Sequence, residues 1–212
     1  MHRRTFLRSA MGVSLGAVLA APLAGEETPA APALDVEALL FDPAAPIGGN
    51  PAGDVTIVAF FDYNCGYCKG SAPALAKLLK TDGKIRLVYK DWPILHKSSV
   101  TAARLAVAAK YQNRYEPAHH ALMGLQSRSM NEDGMAKALK RAGLDLARLN
   151  ADVEKHVEPI AGLLKRNNEQ AVALQLPGTP VYPVGPYKVA AALDYQGFVD
   201  VVADARRRAA ER

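Results

Sequence analysis

Hydrophobic positions recur along this chain with two different periods, and each change of period marks an element boundary. The run Val55-Thr-Ile-Val-Ala-Phe-Phe, rich in β-branched and aromatic residues, predicts a strand ending near Asp62. Gly70 to Lys80 has helical spacing instead, and Pro73 within it is expected to kink the helix because proline cannot donate to the preceding turn. A turn at Thr81-Asp-Gly-Lys84 leads into the alternating stretch Ile85 to Lys90, a second strand. Strand, helix and strand in this order imply a parallel pair joined by a right-handed crossover.

From Ser98 to about Leu176 the pattern is helical almost throughout. Ser98 or Ser99 is placed to cap a helix running past Ala109, and Asn131 to open another that ends near Gly143. Leu144 to His156 and Pro159 to Leu174 complete the block. In the last of these, Ile160, Leu163, Leu164, Ala171 and Leu174 share one face. Gly185-Pro186 predicts a hairpin turn, Val189 to Leu193 a returning strand, and Tyr195 to Ala210 a terminal helix. Upstream, Gly25 to Gly53 is rich in Ala, Pro and Gly and reads as a linker with one helical turn at Val36 to Phe41. The expected organisation is therefore one α/β domain from residues 54–95 and 177–212, interrupted by a helical domain over 96–176.

With 50% hydrophobic and 22% charged residues in 212, the composition suits one or two globular domains. Its net charge of +5 resides largely at the start, where Arg3, Arg4 and Arg8 stand without an acid among the first 24 residues. Without them, 26 basic residues become 23 against 21 acidic ones, so nothing favours a nucleic-acid partner. Arg206 to Arg208 reads as a solvated helix end favoured by the helix dipole. The basic start, the short apolar run Ala10 to Ala21 and small residues near Ala24 predict an export signal over residues 1–24, too short to span a bilayer. Arg3-Arg4 followed by x-Phe-Leu resembles a twin-arginine signal, although His2 and Arg8 depart from its usual residues. Export to the periplasm places the protein where disulfides persist.

That location bears on Cys65-Gly66-Tyr67-Cys68-Lys69, the stretch holding both cysteines of the chain. The pair falls where a strand turns into a helix, and a helix start offers unpaired N–H groups and the positive dipole end to an anion. The thiolate is the attacking species in disulfide exchange. On this reading Cys65 is the exposed nucleophile and Cys68, one turn in, the resolving thiol. The competing readings are a structural staple and half of a zinc site. Zinc wants four ligands, usually two such pairs, and a staple across so short a loop constrains the unfolded chain little. No cofactor or metal is expected. An exported carrier of copper or another soft metal, held by both thiolates, is the alternative function. No methionine or histidine cluster supports it. His119 and His120 read as ordinary surface or core histidines, and His96 as a loop residue.

Three stretches together resemble one family: Phe60 to Cys68, Tyr89-Lys-Asp-Trp-Pro-Ile-Leu95, and Gly178-Thr-Pro180. The chain is similar, from Ala45 to about Arg208, to the DsbA-like branch of the thioredoxin superfamily, in the group that includes ScsC-like proteins. That resemblance implies a thioredoxin fold with an inserted helical domain and protein thiol:disulfide oxidoreductase activity at Cys65 and Cys68, supported by Gly66, Tyr67, Thr179, Pro180 and Lys90. It also implies a cis peptide at Pro180 beside the sulfurs, with the Thr179 backbone turned to pair with an extended substrate. Cysteine-containing exported proteins and a membrane redox partner would be its partners. Two departures stand out. Ala59 occupies the place of a buried carboxylate that relays the resolving thiol's proton, leaving water, Asp62 or Lys90 to serve. Pro183 falls inside the strand after Pro180, where it cannot donate to a ladder.

The dipeptide between the cysteines sets the expected direction. Gly66-Tyr67 lacks the histidine that strongly oxidising relatives carry there, and Gly-Tyr with a threonine before the cis-proline is the pairing of DsbC-like isomerases. Reshuffling, with a partner that keeps the pair reduced, is the expectation. Such isomerases multimerise through an N-terminal region, for which only Gly25 to about Gly53 is available here, without a coiled-coil pattern. Oligomeric state is left open.

Overall fold

The computed structural model describes residues 34–126 and 130–211; the expected export signal and its paired arginines lie outside the described residues. Two strands, β2 (Val55–Phe61) and β3 (Ile85–Asp91), form the centre of a mixed five-stranded sheet. They pair in parallel from Val55 with Ile85 to Phe61 with Asp91. Both strands are largely buried, and β2 reads as a near-continuous apolar run, while β3 buries Lys90 and Asp91 as well as its apolar residues. The crossover is α2 (Gly66–Asp82), which starts four residues before the expected Gly70 and continues through Pro73 to a left-handed cap at Gly83.

The stretch expected to be a linker is instead partly built into the fold. Residues Ile47–Gly49 form β1, an edge strand antiparallel to β3 with Ile47 opposite Val88. Three residues, two of them glycine, carry no alternation by which a strand is recognised. The helical turn does form, as α1 (Val36–Phe41), capped by the Asp35 carboxylate and inserting Leu39 into the core.

Among the described residues, five α-helices lie between β3 and the strands that close the sheet: α3 (Lys97–Ala109), α4 (Tyr115–Met123), α5 (Glu132–Arg141), α6 (Leu146–Lys155) and α7 (Val157–Ala173). The N-cap of α3 is His96, so Ser98 and Ser99 lie in its first turn rather than at its cap. On α7, Ile160, Leu163 and Ala171 are buried as the spacing predicts, joined by Asn167 and Gln170.

Past the helical block, Val181 and Phe60 exchange two backbone hydrogen bonds of 3.0 and 3.1 Å, and β4 (Tyr182–Val184) joins β2 only at Ile57 opposite Val184. Pro183, which has no N–H, sits between these two contacts, and the strand is short. The chain reverses at Gly185, whose φ of 55° is readily reached only without a side chain. That places β5 at Tyr187–Val189, earlier than the expected Val189 to Leu193. The terminal helix α8 (Tyr195–Ala210) returns along α2. Arg206 does not behave as a solvated end. Its guanidinium holds Asp54 at 2.8 Å and Asp82 at 2.7 Å, clamping α8 to the start of β2 and the end of α2.

Candidate active site

Cys65 is the N-cap of α2. The Cys68 N–H donates to its Sγ at 3.3 Å, and its thiol donates to the Thr179 carbonyl at 3.2 Å. A sulfur in the N-cap position takes the place usually held by a hydroxyl or carboxylate oxygen, so a thiolate there meets the unpaired N–H groups of the first turn. Both cysteines are free thiols. The expected exposure of Cys65 is not found: the residue is 5% exposed, while Gly66 and Tyr67 beside it lie open and Tyr67 is 75% exposed. The sulfur is shielded because the loop carrying Thr179 and Pro180 lies against it. The Thr179–Pro180 peptide is cis. The Thr179 hydroxyl is buried without a hydrogen-bond partner.

Asp62 organises the loop ahead of the cysteines. Its Oδ1 accepts from the Asn64 N–H and the Ser99 hydroxyl, both at 2.7 Å, and its Oδ2 from the Ile94 and Leu95 N–H groups at 2.8 and 2.9 Å. Four donors saturate this buried carboxylate. It fixes the strand end, the cysteine loop, the turn after β3 and the start of α3, and is structural rather than the proton relay considered for it.

Lys90 is not brought to the cysteines. Successive side chains of a strand point to opposite faces, and Ala59, Leu87 and Tyr89 line the space against Cys68 while Lys90 points away from it. Its fully buried ammonium has no hydrogen-bond partner, and burial pushes its pKa down to about 8 despite the nearby Asp42 carboxylate. Lys69 is nearer. Its half-buried Nζ donates to the Leu122 and Met123 carbonyls at the end of α4, 3.3 Å from each, and its charge acts on both sulfurs. Burial lowers its pKa, opposed by the Cys68 thiol.

Cys68 itself is buried among apolar groups, and that burial pushes its thiol up to about 12. Cys68 is thus suited to remain protonated until it attacks.

Behind Cys68 lies a group of polar residues that sequence reasoning did not single out as functional. His119 on α4 is enclosed by Phe61, Tyr63, Tyr89 and Tyr115. Its Nδ1 lies 3.1 Å from the Tyr63 hydroxyl, and burial lowers its pKa to about 3. The Tyr115 ring, stacked on His119, donates its hydroxyl to Asp91 at 2.7 Å, and burial raises the Asp91 pKa to about 7. An acid at the buried end of a strand, just ahead of Trp92-Pro93, was the one available signal. Among the described residues no group of three or more His, Cys, Asp or Glu side chains is placed to hold a metal ion, and no helix is long and apolar enough to cross a membrane.

Known proteins share this fold. A thioredoxin-like oxidoreductase from Silicibacter pomeroyi is 38% identical, with a TM-score of 0.76 over 82% of this chain and 98% of its own. The thiol-disulfide exchange protein alpha-DsbA2 from Wolbachia pipientis is 26% identical, with a TM-score of 0.75 over 79% and 90%. A periplasmic thioredoxin-like protein from Salmonella enterica serovar Typhimurium is 27% identical, with a TM-score of 0.69 over 80% and 94%. Among curated sequences, a Na(+)/H(+) antiporter NhaA of Salinispora tropica is 28% identical over 153 residues, which cover 68% of this chain but only 23% of the antiporter. The chain thus spans less than a quarter of the length of that relative. A family model, the DSBA-like thioredoxin domain, matches residues 56–203, the stretch that carries β2, both cysteines, the helical block and the Thr179–Pro180 loop. The chain belongs to the DsbA-like thioredoxin family.

Proposed function

We propose that the protein is an exported thiol:disulfide oxidoreductase that reshuffles disulfides in other exported proteins through Cys65 and Cys68. The observation that carries this reading is the Cys65 sulfur at the head of α2, bonded by the Cys68 N–H and lying against the Thr179 carbonyl. The Cys65 thiolate attacks one sulfur of a substrate disulfide. A mixed disulfide forms, the substrate's second sulfur leaves as a thiolate and attacks another disulfide within the substrate, and the thiolate this releases attacks the mixed disulfide and expels Cys65 as a thiolate. Cys68 releases substrates that stall, by forming the Cys65–Cys68 bond and expelling the substrate thiolate.

Thr179 and Pro180 form the wall against which an extended substrate strand lies, and the exposed Tyr67 and Gly66 leave the approach open. Export and a periplasmic setting are supported by the Salmonella neighbour, and the thiol chemistry by the Wolbachia neighbour. The neutral Gly66-Tyr67 pair puts no cation between the cysteines, which favours reshuffling over strong oxidation. A membrane partner that keeps the pair reduced completes the cycle. Recovery of activity by a scrambled, disulfide-bonded substrate tests the reading. Wild type restores it under mildly reducing conditions and Cys65→Ser does not. Equal recovery with Cys65→Ser refutes the proposal.

A further inference from the structure

Reshuffling and release compete at the same mixed disulfide. While a substrate sulfur is bonded to Cys65, the substrate's other thiolate and the Cys68 thiol are rivals. A Cys68 that attacks early ends the reaction before any disulfide has been exchanged. Its surroundings hold it back: Cys68 is 2% exposed, and burial pushes its thiol up to about 12. The attacking thiolate is correspondingly scarce.

Those surroundings are closed on one side by α4. Its last residue, Met123, is buried and joins His119 and His120 in lining a space of about 20 Å³ against Cys68, room for about one water. Further out, a cavity of about 120 Å³ opens between α2 and α4, and Lys69, Pro73 and Gly124 line it. Ala72, Ala76, His120 and Met123 border both spaces. These four residues are the partition between the outer cavity and the resolving thiol. On the α2 side the partition consists of two alanines, whose few atoms give α4 little to pack against.

What fastens α4 there is Lys69. Its Nζ donates to the Leu122 and Met123 carbonyls, 3.3 Å from each, and among the described residues these are the only hydrogen bonds between α2 and α4. The last carbonyls of a helix lack partners within it and carry the negative end of its dipole, so an ammonium suits them. Near the start of α2 the same cation gains nothing from its own helix. The half-buried place of Lys69 is therefore explained by the end of α4. It follows Cys68 directly, so the fastening and the thiol share one turn.

We propose that Lys69 is a positioning residue that latches the end of α4 onto α2, keeps bulk water from Cys68 and so lengthens the life of the mixed disulfide at Cys65. The proposal rests on Cys65 and Cys68 being a reshuffling pair. In the release step Cys68 gives its proton to water and its Sγ bonds to Cys65 Sγ. The bond from Cys65 to the substrate sulfur breaks, and that sulfur leaves with the electron pair as a thiolate. With the latch closed, little water is at hand to take the proton or solvate the sulfur. With it open, the outer cavity joins the inner one and Cys68 is hydrated.

A direct role for the Lys69 charge predicts the opposite sign. Loss of a cation alone makes Cys68 harder to ionise and slows release, whereas loss of the latch hydrates Cys68 and quickens it.

The test times the release of glutathione from a Cys65–glutathione mixed disulfide at neutral pH, in the full chain. Lys69→Met keeps the apolar stem without the ammonium and is expected to release glutathione faster by about tenfold or more. Lys69→Gln, a shorter neutral chain, carries the same expectation and reports where Lys69→Met does not fold. Lys69→Arg, which still donates to the α4 carbonyls, is expected to stay near the wild-type rate. In a Cys65→Ser background, alkylation of Cys68 by iodoacetamide is expected to quicken in Lys69→Met and not in Lys69→Arg. Release that is unchanged or slower in the neutral variants overturns the latch, as does a Lys69→Arg protein that behaves like them. A protein that forms no mixed disulfide at Cys65 instead overturns the redox reading on which the latch rests.

Discussion

The Ser99 hydroxyl donates to Asp62 Oδ1 at 2.7 Å and, with the Asn64 amide that donates to the Ser98 and Ser99 hydroxyls, joins the first turn of α3 to the loop that presents Cys65. The same carboxylate takes three backbone N–H groups, from Asn64, Ile94 and Leu95. Removing it leaves these donors without their acceptor in a part-buried site. Asp62→Ala is expected to cost about 3 kcal/mol or more in denaturant unfolding, and Asp62→Asn less, because its amide oxygen still accepts. A loss below about 1 kcal/mol for Asp62→Ala contradicts this role.

The two cysteines should behave differently when cut one at a time. With Cys68→Ser, mixed disulfides formed at Cys65 have no internal thiol to release them and accumulate as covalent complexes. With Cys65→Ser no such complexes form, because the remaining thiol is buried and held protonated near neutral pH. Non-reducing electrophoresis after exposure to a disulfide-bonded substrate reads this directly. Equal trapping by both variants counts against the assignment.

Much of this site was legible in the sequence, for reasons that particular residues make clear. Val55 to Phe61 announces the first central strand as a nearly continuous apolar run, and Ile85 to Lys90 the second by its alternation after a turn. Cys65 at the strand–helix junction follows from that frame, as does a short strand at Pro183. The edge strand Ile47–Gly49 was hidden because three residues, two of them glycine, show no period. Lys90 was assigned to the site by likeness alone. A strand's alternation sends it to the opposite face from Tyr89, and only the register of β2 against β3 says which face meets Cys68. His119 looked unremarkable because its partner Tyr63 is far from it along the chain and the two meet only in the fold.

Burial of Asp91 and His119 makes stability depend on pH in opposite senses. Between about pH 4 and 7 the native protein keeps a proton on Asp91 that the unfolded chain has released, so stability falls as pH rises through this window. Between about pH 3 and 6.5 the unfolded chain holds a proton on His119 that the native protein lacks, so stability rises with pH. The two slopes oppose each other where the windows overlap. Relative to wild type, His119→Gln therefore tilts the thermal midpoint downward with rising pH, and Asp91→Asn tilts it upward. Midpoint-against-pH curves that shift the same way in both variants would falsify the pair of assignments.

Arg3 and Arg4 offer a test of the export route. The twin-arginine receptor reads the arginine pair, whereas a general secretory signal needs only early positive charge. Replacing both with lysine is expected to abolish periplasmic accumulation. Normal periplasmic yield of the doubly substituted protein rules out the twin-arginine route.

The reduction potential of the Cys65–Cys68 pair, measured by equilibration against glutathione, tests the central claim most directly. A strong oxidant needs its reduced form stabilised by a cation near the nucleophilic thiolate. Here Gly66-Tyr67 is neutral, and the Lys69 ammonium is held by the Leu122 and Met123 carbonyls. The helix start is left as the main support for a Cys65 thiolate. The pair is therefore predicted to be less oxidising than DsbA, closer to the value of about −180 mV of protein disulfide isomerase. A potential at or above about −120 mV, the DsbA value, would contradict reshuffling and leave simple oxidation in its place.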